Sequence, residues 1–311
     1  MSVNLIQELP RQLLSCLILV TLLCVPTAGA RADGLKFAGQ STLSHNDMLG
    51  DRHDRWRTGG YTHSFFFSGA DRSYELRGRV EWITPFRGDD PSLPDRPSTG
   101  VVGVGAFVHQ RRGEYSIKYG AEAVMTDSEI LKIQDSFHEM AGFDGGYMHD
   151  GSDDPMLDRR AYLSGTIEVA REFQLGRIGT IRPFIEAEAG FENFVRIGGD
   201  IAVSSSGFAS LVSRDPVTGF LVPTKANLRK THPRRSLVSG YIGADLTLID
   251  GSSLYRGTDT ASRHLRNRIR AGVIIGGRRH QFFYGITRLS KEFSGQSEAQ
   301  YLGSTSFSLR F

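Results

Sequence analysis

Residues 73–82 read SYELRGRVEW, and two kinds of side chain alternate along this stretch. The mostly apolar even positions are Tyr74, Leu76, Gly78, Val80 and Trp82. The odd positions are all charged: Glu75, Arg77, Arg79 and Glu81. A period of two predicts a β-strand with one apolar and one charged face. A soluble core would not accept the charged face, although a soluble sandwich can expose such a face to water.

The same alternation returns along the chain, in the ranges 114–125, 181–191, 238–248 and 267–275. A closed barrel with a charged interior explains so many repeats better than a soluble sandwich does, because only alternate residues of a barrel strand meet lipid. A slightly negative mean hydropathy fits this arrangement as well. We therefore predict an all-β protein, a transmembrane antiparallel β-barrel.

The segment 301–311 places aromatic and small residues on one face and mostly serines on the other, and it stops on Phe311. It resembles the C-terminal strand of bacterial outer-membrane barrels. Even strand numbers are usual in such barrels, so we predict twelve strands. Eleven are expected near 35–45, 57–68, 72–84, 99–112, 114–126, 159–172, 180–195, 237–249, 266–276, 280–293 and 300–311, with another within 197–235.

The first residues have the layout of a signal peptide. Arg11 precedes the apolar run 13–25, and small residues end at Ala30-Arg31-Ala32, an A-x-A-type cleavage site. We expect residues 1–32 to be removed and 33–311 to form the barrel. Both cysteines, Cys16 and Cys24, fall in the signal, so thiol chemistry is not expected in the barrel. The net charge of +3 is small and interleaved, which does not favour nucleic-acid binding.

Candidate chemistry begins in the stretch 43–64, LSHNDMLGDRHDRWRTGGYTHS. Asn46 and Asp47 stand together at a predicted strand end, and the pattern Asp54-Arg55-x-x-Thr58-x-Gly60 follows. Oxygen ligands therefore cluster at one place. An ordinary polar hairpin loop has the same composition, so the residues alone leave both readings open.

A second candidate segment breaks the alternation. In 128–140, Ile130, Ile133, Phe137 and Met140 recur at helical spacing, which predicts a short helix in an outer loop capped by Asp127 or Ser128. Gln134 and His138 are four residues apart and so share one helical face. A histidine suits acid–base chemistry near neutral pH, although a solvated surface histidine is the simpler reading.

Several short motifs occur in a fixed order and resemble the lipid A 3′-O-deacylase family of outer-membrane barrels. They are Asn46-Asp47, Asp54-Arg55-x-x-Thr58-x-Gly60 followed by Ser64, Asp95-Arg96-Pro97, Gln134-x-x-x-His138, Arg196-Ile197-Gly198 and Lys291-Glu292-Phe293-x-Gly295-Gln296. The resemblance implies a twelve-stranded barrel with a site at its outer end, acting on lipid A of lipopolysaccharide with calcium. We expect a monomer in the bacterial outer membrane.

By the same resemblance, His138 would be the general base and Gln134 its neighbour. Asn46 and Asp47 would form the calcium and oxyanion side, Asp144 would be a further acidic ligand, and Ser64 would lie close by as a polar support. The chemistry fits these residue types, since ester hydrolysis needs a base near neutral pKa and positive charge at the carbonyl oxygen.

Two other functions remain open from the sequence. One is a small channel or structural barrel, which would be plugged by interior ion pairs if Glu75, Arg77, Arg79, Glu81, Glu186 and Glu188 all face the lumen. The other is a serine–histidine phospholipase barrel with Ser64 or another serine as nucleophile, although no triad spacing stands out.

Overall fold

A computed structural model describes residues 35–53, 55–86, 96–132, 156–176, 179–203, 212–223, 237–256, 260–276 and 280–309. The strands are β1 (Lys36–Asn46), β2 (Trp56–Ser68), β3 (Arg72–Thr84), β4 (Thr99–Arg112), β5 (Tyr115–Asp127), β6 (Arg160–Arg171), β7 (Phe173–Leu175), β8 (Gly179–Ala189), β9 (Glu192–Val203), β10 (Val212–Arg214), β11 (Leu221–Pro223), β12 (Leu237–Ser252), β13 (Leu265–Gly276), β14 (His280–Leu289) and β15 (Gln300–Leu309).

Twelve of these strands form one closed antiparallel barrel, which confirms the predicted strand number. Each wall strand pairs with the next one along the chain, and β1 closes the ring by pairing with β15. The short strand β7 continues the line of β6 along β8. The hairpin of β10 and β11 belongs to a separate two-stranded sheet.

The sequence placed the twelfth strand wrongly. The predicted strand 180–195 is two strands, β8 and β9, separated by a tight turn at Gly190-Phe191. Gly190 has φ of +137°, a conformation that glycine adopts without strain, and its N–H donates to Asn193 Oδ1 at 2.9 Å. The twelfth strand is therefore Glu192–Val203. The predicted strand 280–293 also ends early, at Leu289, because Glu292 and Phe293 turn into the protein and are buried.

The two ends of the barrel differ. At one end the connections are mostly short, as at Gly69–Asp71 and Gly113-Glu114. At the other end longer connections follow β1, β3, β5, β12 and β14. In outer-membrane barrels the longer connections face outward, so we call this end the outer end.

The alternation predicted from sequence is confirmed in the wall. In β3, Glu75 and Arg77 face the lumen and are buried, whereas Tyr74 and Leu76 are 38% and 40% exposed on the outer surface. Leu163, Val238, Leu248 and Phe307 are also exposed on this surface. An apolar outer surface around a polar interior is the arrangement that a bilayer requires.

The lumen is filled along its described length. An apolar cluster closes the outer end: Trp56, Ile83, Val101, Val124, Leu157, Phe191, Leu254, Tyr255 and Phe293. Beneath it lie paired charges such as Arg79 with Glu122 and Arg196 with Glu186. Because removing one partner from a buried ion pair leaves a charge unpaired, each pair holds the strands that carry it together.

The β10–β11 hairpin occupies the lumen nearer its middle. Arg214 donates to Glu168 at 2.6 Å and to Asp200 at 2.9 Å. Asp215 accepts from Thr62 at 2.9 Å, and Phe220 packs against Phe283 in an edge-to-face arrangement. This hairpin lies in the range 197–235, where we expected a wall strand. Its polar side chains find ion-pair and hydrogen-bond partners in the charged interior of the barrel. The segment therefore lies in the lumen and not in the wall.

The start of the predicted helix is confirmed. Asp127 caps a 3-10 turn, Ser128–Ile130, by accepting a hydrogen bond from Glu129 N, and Leu131 continues in helical conformation. The remainder of the predicted helix lies outside the described residues. No helix in the described part of the chain is long and apolar enough to cross a membrane.

Candidate functional site

One row of residues crosses the lipid-facing side of five strands near the outer end. Successive register partners along it are Asn46, Gly59, Trp82, Gly100 and Asp127. Their neighbours in sequence, such as His45, Gly60 and Val101, face the lumen, and side chains alternate along a strand. The row therefore presents Asn46 to the outside of the barrel, at the rim.

Gly59 makes room for the Asn46 side chain. A Cβ at Gly59 would lie 3.1 Å from Asn46 Nδ2 and 3.7 Å from the Trp82 ring. The amide of Asn46 thus lies over bare backbone, with the indole of Trp82 on the far side. The Asn46 amide is therefore held against the lipid-facing side of the wall, next to Trp82.

The oxygens of Asn46 and Asp47 converge on one point. Asn46 Oδ1 and Asp47 Oδ1 each accept from Met48 N at 2.8 Å, and Asp47 Oδ2 accepts from Arg55 N at 2.7 Å. Asp47 is fully buried, so its carboxylate also fixes the loop between β1 and β2. The structure thus brings these two predicted site residues together.

The predicted helix starts in the same row. Trp82 Nε1 donates to Ile130 O at 3.3 Å, and a Cβ at Gly100 would overlap the Ile130 side chain. The turn that begins at Asp127 therefore rests on the lipid-facing side of the wall at Gly100, two register steps from Gly59. Gln134, His138 and Asp144 lie outside the described residues, so their roles stay predictions, as does that of Asp54.

Ser64 is not part of this group. It pairs with Ser41, five residues along β1 from Asn46, which is roughly 17 Å at the rise of a strand. Its hydroxyl faces the lumen, where it donates to Glu75 Oε1 at 2.7 Å. The expectation that Ser64 lies beside Asn46 is therefore corrected. Ser64 is two residues after Thr62, whose side chain bonds to the luminal Asp215, so alternation along the strand directs both side chains into the lumen.

An oxygen pair of this kind fits a hard cation such as calcium in its chemistry, since calcium takes 6–8 oxygen ligands. Asn46 and Asp47 supply two, and the remainder would come from Asp144, water or substrate. No group of three or more His, Cys, Asp or Glu side chains suited to a metal occurs among the described residues, which do not include Asp144 or His138.

A buried ion network supports the rim from inside. Arg57 Nε donates to both carboxylate oxygens of Glu292, at 2.9 and 3.0 Å, and Arg57 also pairs with Glu81. Arg96 donates to Glu292 Oε2 at 3.1 Å. Burial acts to raise the pKa of Glu292, but Arg57, Arg266 and Arg96 outweigh it and hold that pKa at about 2. Glu292 is therefore ionised and links β2 to the segment after β14.

The sequence did not identify this network as a unit. Arg96 and Glu292 belong to motifs quoted above, but Arg57, which carries the central charge, occupies an unassigned position of the Asp54-Arg55-x-x-Thr58-x-Gly60 pattern. Thr58 does lie at the rim, and its hydroxyl bonds to that of Thr84 at 2.6 Å. A bulge in β2 at Thr58 turns Arg57 inward, and a bulge leaves no clear signal in a single sequence.

Among the solved structures compared, LpxR shares the fold, and the two porins that follow are less similar. LpxR from Salmonella typhimurium has a TM-score of 0.68 and 13% identity, covering 88% of this chain and 100% of that chain. The NanC porin has a TM-score of 0.41 and 4% identity, covering 88% and 100%, and the KdgM porin has 0.42 and 8%, covering 87% and 99%.

No family model matches the sequence, and no curated protein matches it significantly. At these identities the likeness shows the fold and not the activity. The closed twelve-stranded barrel, its apolar outer surface and its charged lumen make the chain a β-barrel of the bacterial outer membrane.

Proposed function

We propose that this barrel is an outer-membrane esterase that removes a 3′-linked acyl chain from lipid A of lipopolysaccharide. The observation that carries the proposal is the lipid-facing row at the outer rim. It holds Asn46 and Asp47 in one place, and the turn leading to Gln134 and His138 starts in the same row. The fold is the one found in LpxR from Salmonella typhimurium.

In the proposed reaction, His138 accepts a proton from water while the water oxygen attacks the ester carbonyl carbon. The Asn46 amide donates to the carbonyl oxygen as that oxygen becomes negative. The carbon–oxygen bond to the sugar then breaks, and the alkoxide takes the proton from His138. Bound calcium, held by Asn46, Asp47 and Asp144, would supply further positive charge at the carbonyl oxygen.

Two other functions receive less support. A channel needs an open lumen, whereas the described lumen holds an apolar cluster, ion pairs and a hairpin. A serine–histidine enzyme needs a histidine beside its serine. The Glu75 carboxylate stands between Ser64 and His109, bonded to Ser64 Oγ and His109 Nε2 at 2.7 Å each, so the Ser64 hydroxyl donates its hydrogen bond to a carboxylate and not to a histidine.

The test is acyl release from lipid A by the purified barrel in detergent with calcium, followed by mass spectrometry. We expect loss of one acyl chain, and a fall of about 10²–10³ in rate for Asn46→Ala and for His138→Ala, the scale seen when one oxyanion contact is removed. Chelation of calcium should have a similar effect. Near wild-type turnover by either variant, or no acyl loss by the wild type, contradicts the proposal.

A structure with the 133–155 segment placed gives a second test. We expect the His138 imidazole within ~10 Å of Asn46 Oδ1, close enough for substrate and one water to lie between them. A larger separation removes the basis for the proposed mechanism.

A further inference from the structure

An arginine stands on the lipid-facing side of the barrel near the outer end. Thr287 faces the lumen, where its hydroxyl donates to Thr218 O of the hairpin at 3.2 Å, and Leu289 is buried as well. Arg288, between them in β14, therefore faces the bilayer. Phe282, Tyr284 and Ile286 occupy the same side and are 44%, 37% and 39% exposed.

The surroundings of Arg288 are apolar. Its register partners are Ile269 on β13 and Tyr301 on β15, which are 53% and 41% exposed to the outside. The guanidinium of Arg288 makes no hydrogen bond or ion pair with any residue that the structure describes. A charged side chain facing lipid is costly unless it finds a counter-charge, so such a residue indicates a bound partner.

The loop between β1 and β2 bends over the same part of the wall. Tyr284 Oη donates to Leu49 O at 2.9 Å, and Asp51 N donates to Tyr301 O at 3.2 Å. Met48 and Leu49, in this loop, are 54% and 46% exposed beside the lipid-facing wall. The loop is therefore placed to enter the headgroup region of the outer leaflet.

A second cation follows directly in this loop. Arg52 has φ of +65°, is exposed, and has no side-chain partner among the described residues. Arg52 directly follows Asp51, which is bonded to Tyr301, and Arg288 is the register partner of the same tyrosine, so both arginines belong to the surroundings of Tyr301. The carboxylate of Asp51 is itself engaged by Tyr301 N at 3.2 Å and Arg55 Nη2 at 3.1 Å.

We propose that Arg52 and Arg288 bind the phosphate of a lipid headgroup in the outer leaflet, with its acyl chains along the apolar wall below. Guanidinium groups form charge-assisted, often bidentate hydrogen bonds to phosphate. The headgroup of a membrane lipid fits better than a free anion, because both arginines border exposed apolar residues. The site is independent of hydrolysis. If the proposed function holds, a lipid bound there lies two residues along β15 from Gly303, the partner of Asn46.

The experiment measures lipid binding by native mass spectrometry, with delipidated protein in a phosphate-free detergent and a calcium chelator to prevent turnover. The probes are bisphosphorylated lipid A, the same lipid after removal of its phosphates, and inorganic phosphate. We expect Arg288→Gln and Arg52→Gln each to weaken binding of the bisphosphorylated lipid about fivefold, and neither to change binding of the dephosphorylated lipid. Arg288→Lys should retain part of the difference, since a point charge remains.

Arg112→Gln is the matched control. Arg112 is also on the outer surface and also has a tyrosine, Tyr115, as its register partner, but it lies at the opposite end of the barrel. It should bind both lipids as the wild type does, and all variants should keep the heat-dependent gel migration of a folded barrel. The proposal is overturned if Arg288→Gln and Arg52→Gln bind like the wild type, if Arg112→Gln loses as much, or if millimolar inorganic phosphate displaces the lipid.

Discussion

A shift of one position along a strand decides whether a side chain meets lipid or lumen. His45 faces the lumen with its Nδ1 4.0 Å from Asp215, while Asn46, the next residue, faces outward beside Trp82. Glu75 and Arg77 are buried for the same reason that Tyr74 and Leu76 are exposed. The surroundings of each residue in this barrel therefore depend first on which face of the strand it occupies, and then on its distance from the outer end.

Mutation of Ser64 tests whether a side chain that faces the lumen takes part in the reaction. Ser64→Ala removes the hydroxyl that bonds to Glu75 in the lumen, so we expect a loss of roughly 1–3 kcal/mol in the free energy of unfolding. Acyl release should stay within about threefold of the wild type, because the residue is roughly 17 Å from Asn46. Urea unfolding and the lipid A assay give the two values. A large loss of activity in a stable variant would show that Ser64 acts in the reaction.

The buried Glu292 makes the stability of the barrel depend on pH. Its pKa is about 2 in the folded protein, below the ordinary 4.5, so its contribution is complete above pH 4.5 and is lost as the pH falls towards 2. That shift corresponds to roughly 3 kcal/mol. We expect the urea midpoint of the wild type to fall over this pH range and that of Glu292→Gln to be lower at pH 6 and to change less. Glu298→Gln is the control, since Glu298 also pairs with an arginine but is 61% exposed.

At the scale of elements, short segments are positioned by glycines that let another segment approach the wall. Gly100 admits Ile130 at the start of the loop that carries Gln134 and His138. Gly303 similarly lets Leu49 of the first loop lie on β15. Both approaches occur on the lipid-facing side of the outer rim, where the candidate site and the proposed phosphate site are found.

Gly100→Ala should therefore displace the turn at Ser128–Ile130 without opening the barrel. We expect acyl release to fall at least tenfold while the heat-dependent gel migration remains, because the added Cβ overlaps Ile130. The control is Gly78→Ala, which also changes a lipid-facing glycine but has no atom within 4 Å of the added Cβ. Equal activity of the two variants would mean that the turn does not position the site.

At the scale of the whole molecule, the barrel has an occupied lumen and a candidate site on its outer surface. The outer apolar cluster, the paired charges and the hairpin occupy the described lumen, and the candidate residues lie on the opposite side of the wall. If the proposed function holds, we expect the lipid to reach the site by diffusion within the leaflet and not through the lumen.

Replacing the β10–β11 hairpin tests whether it blocks the lumen. In planar bilayers the wild type should show little ion conductance, and replacing Val212–Pro223 by a short Gly-Ser linker should raise it, because the contacts of Arg214, Asp215 and Phe220 are lost. Val217→Ala, a change within the hairpin that keeps these contacts, is the control. Conductance of the wild type equal to that of the hairpin variant would show that the lumen is open despite the hairpin.

The wall of the barrel was predictable because its signal is local. Each strand carries its own alternation of apolar and polar residues, as in Ser73–Trp82. This alternation predicts which side chains face lipid and which face the lumen. The first error was to predict one strand where there are two, β8 and β9. The turn between them, Gly190-Phe191, has only two residues, so the alternation of the sequence does not show where one strand ends and the next begins. The second came at the hairpin, because a segment that pairs with the lumen carries the same charges as one exposed to water.

The sequence by itself determined the all-β class and, in most wall strands, which residues face lipid, since these depend on neighbours one or two positions away. The number of wall strands followed from the even count that is usual in such barrels. Only the tertiary structure decided that Asn46 and the turn at Asp127 share one row, that Ser64 lies far from both, and that Arg288 and the loop carrying Arg52 both adjoin Tyr301. These relations depend on register between strands that are distant in sequence, and register is set by packing, bulges and closure of the ring, which no single stretch of the chain encodes.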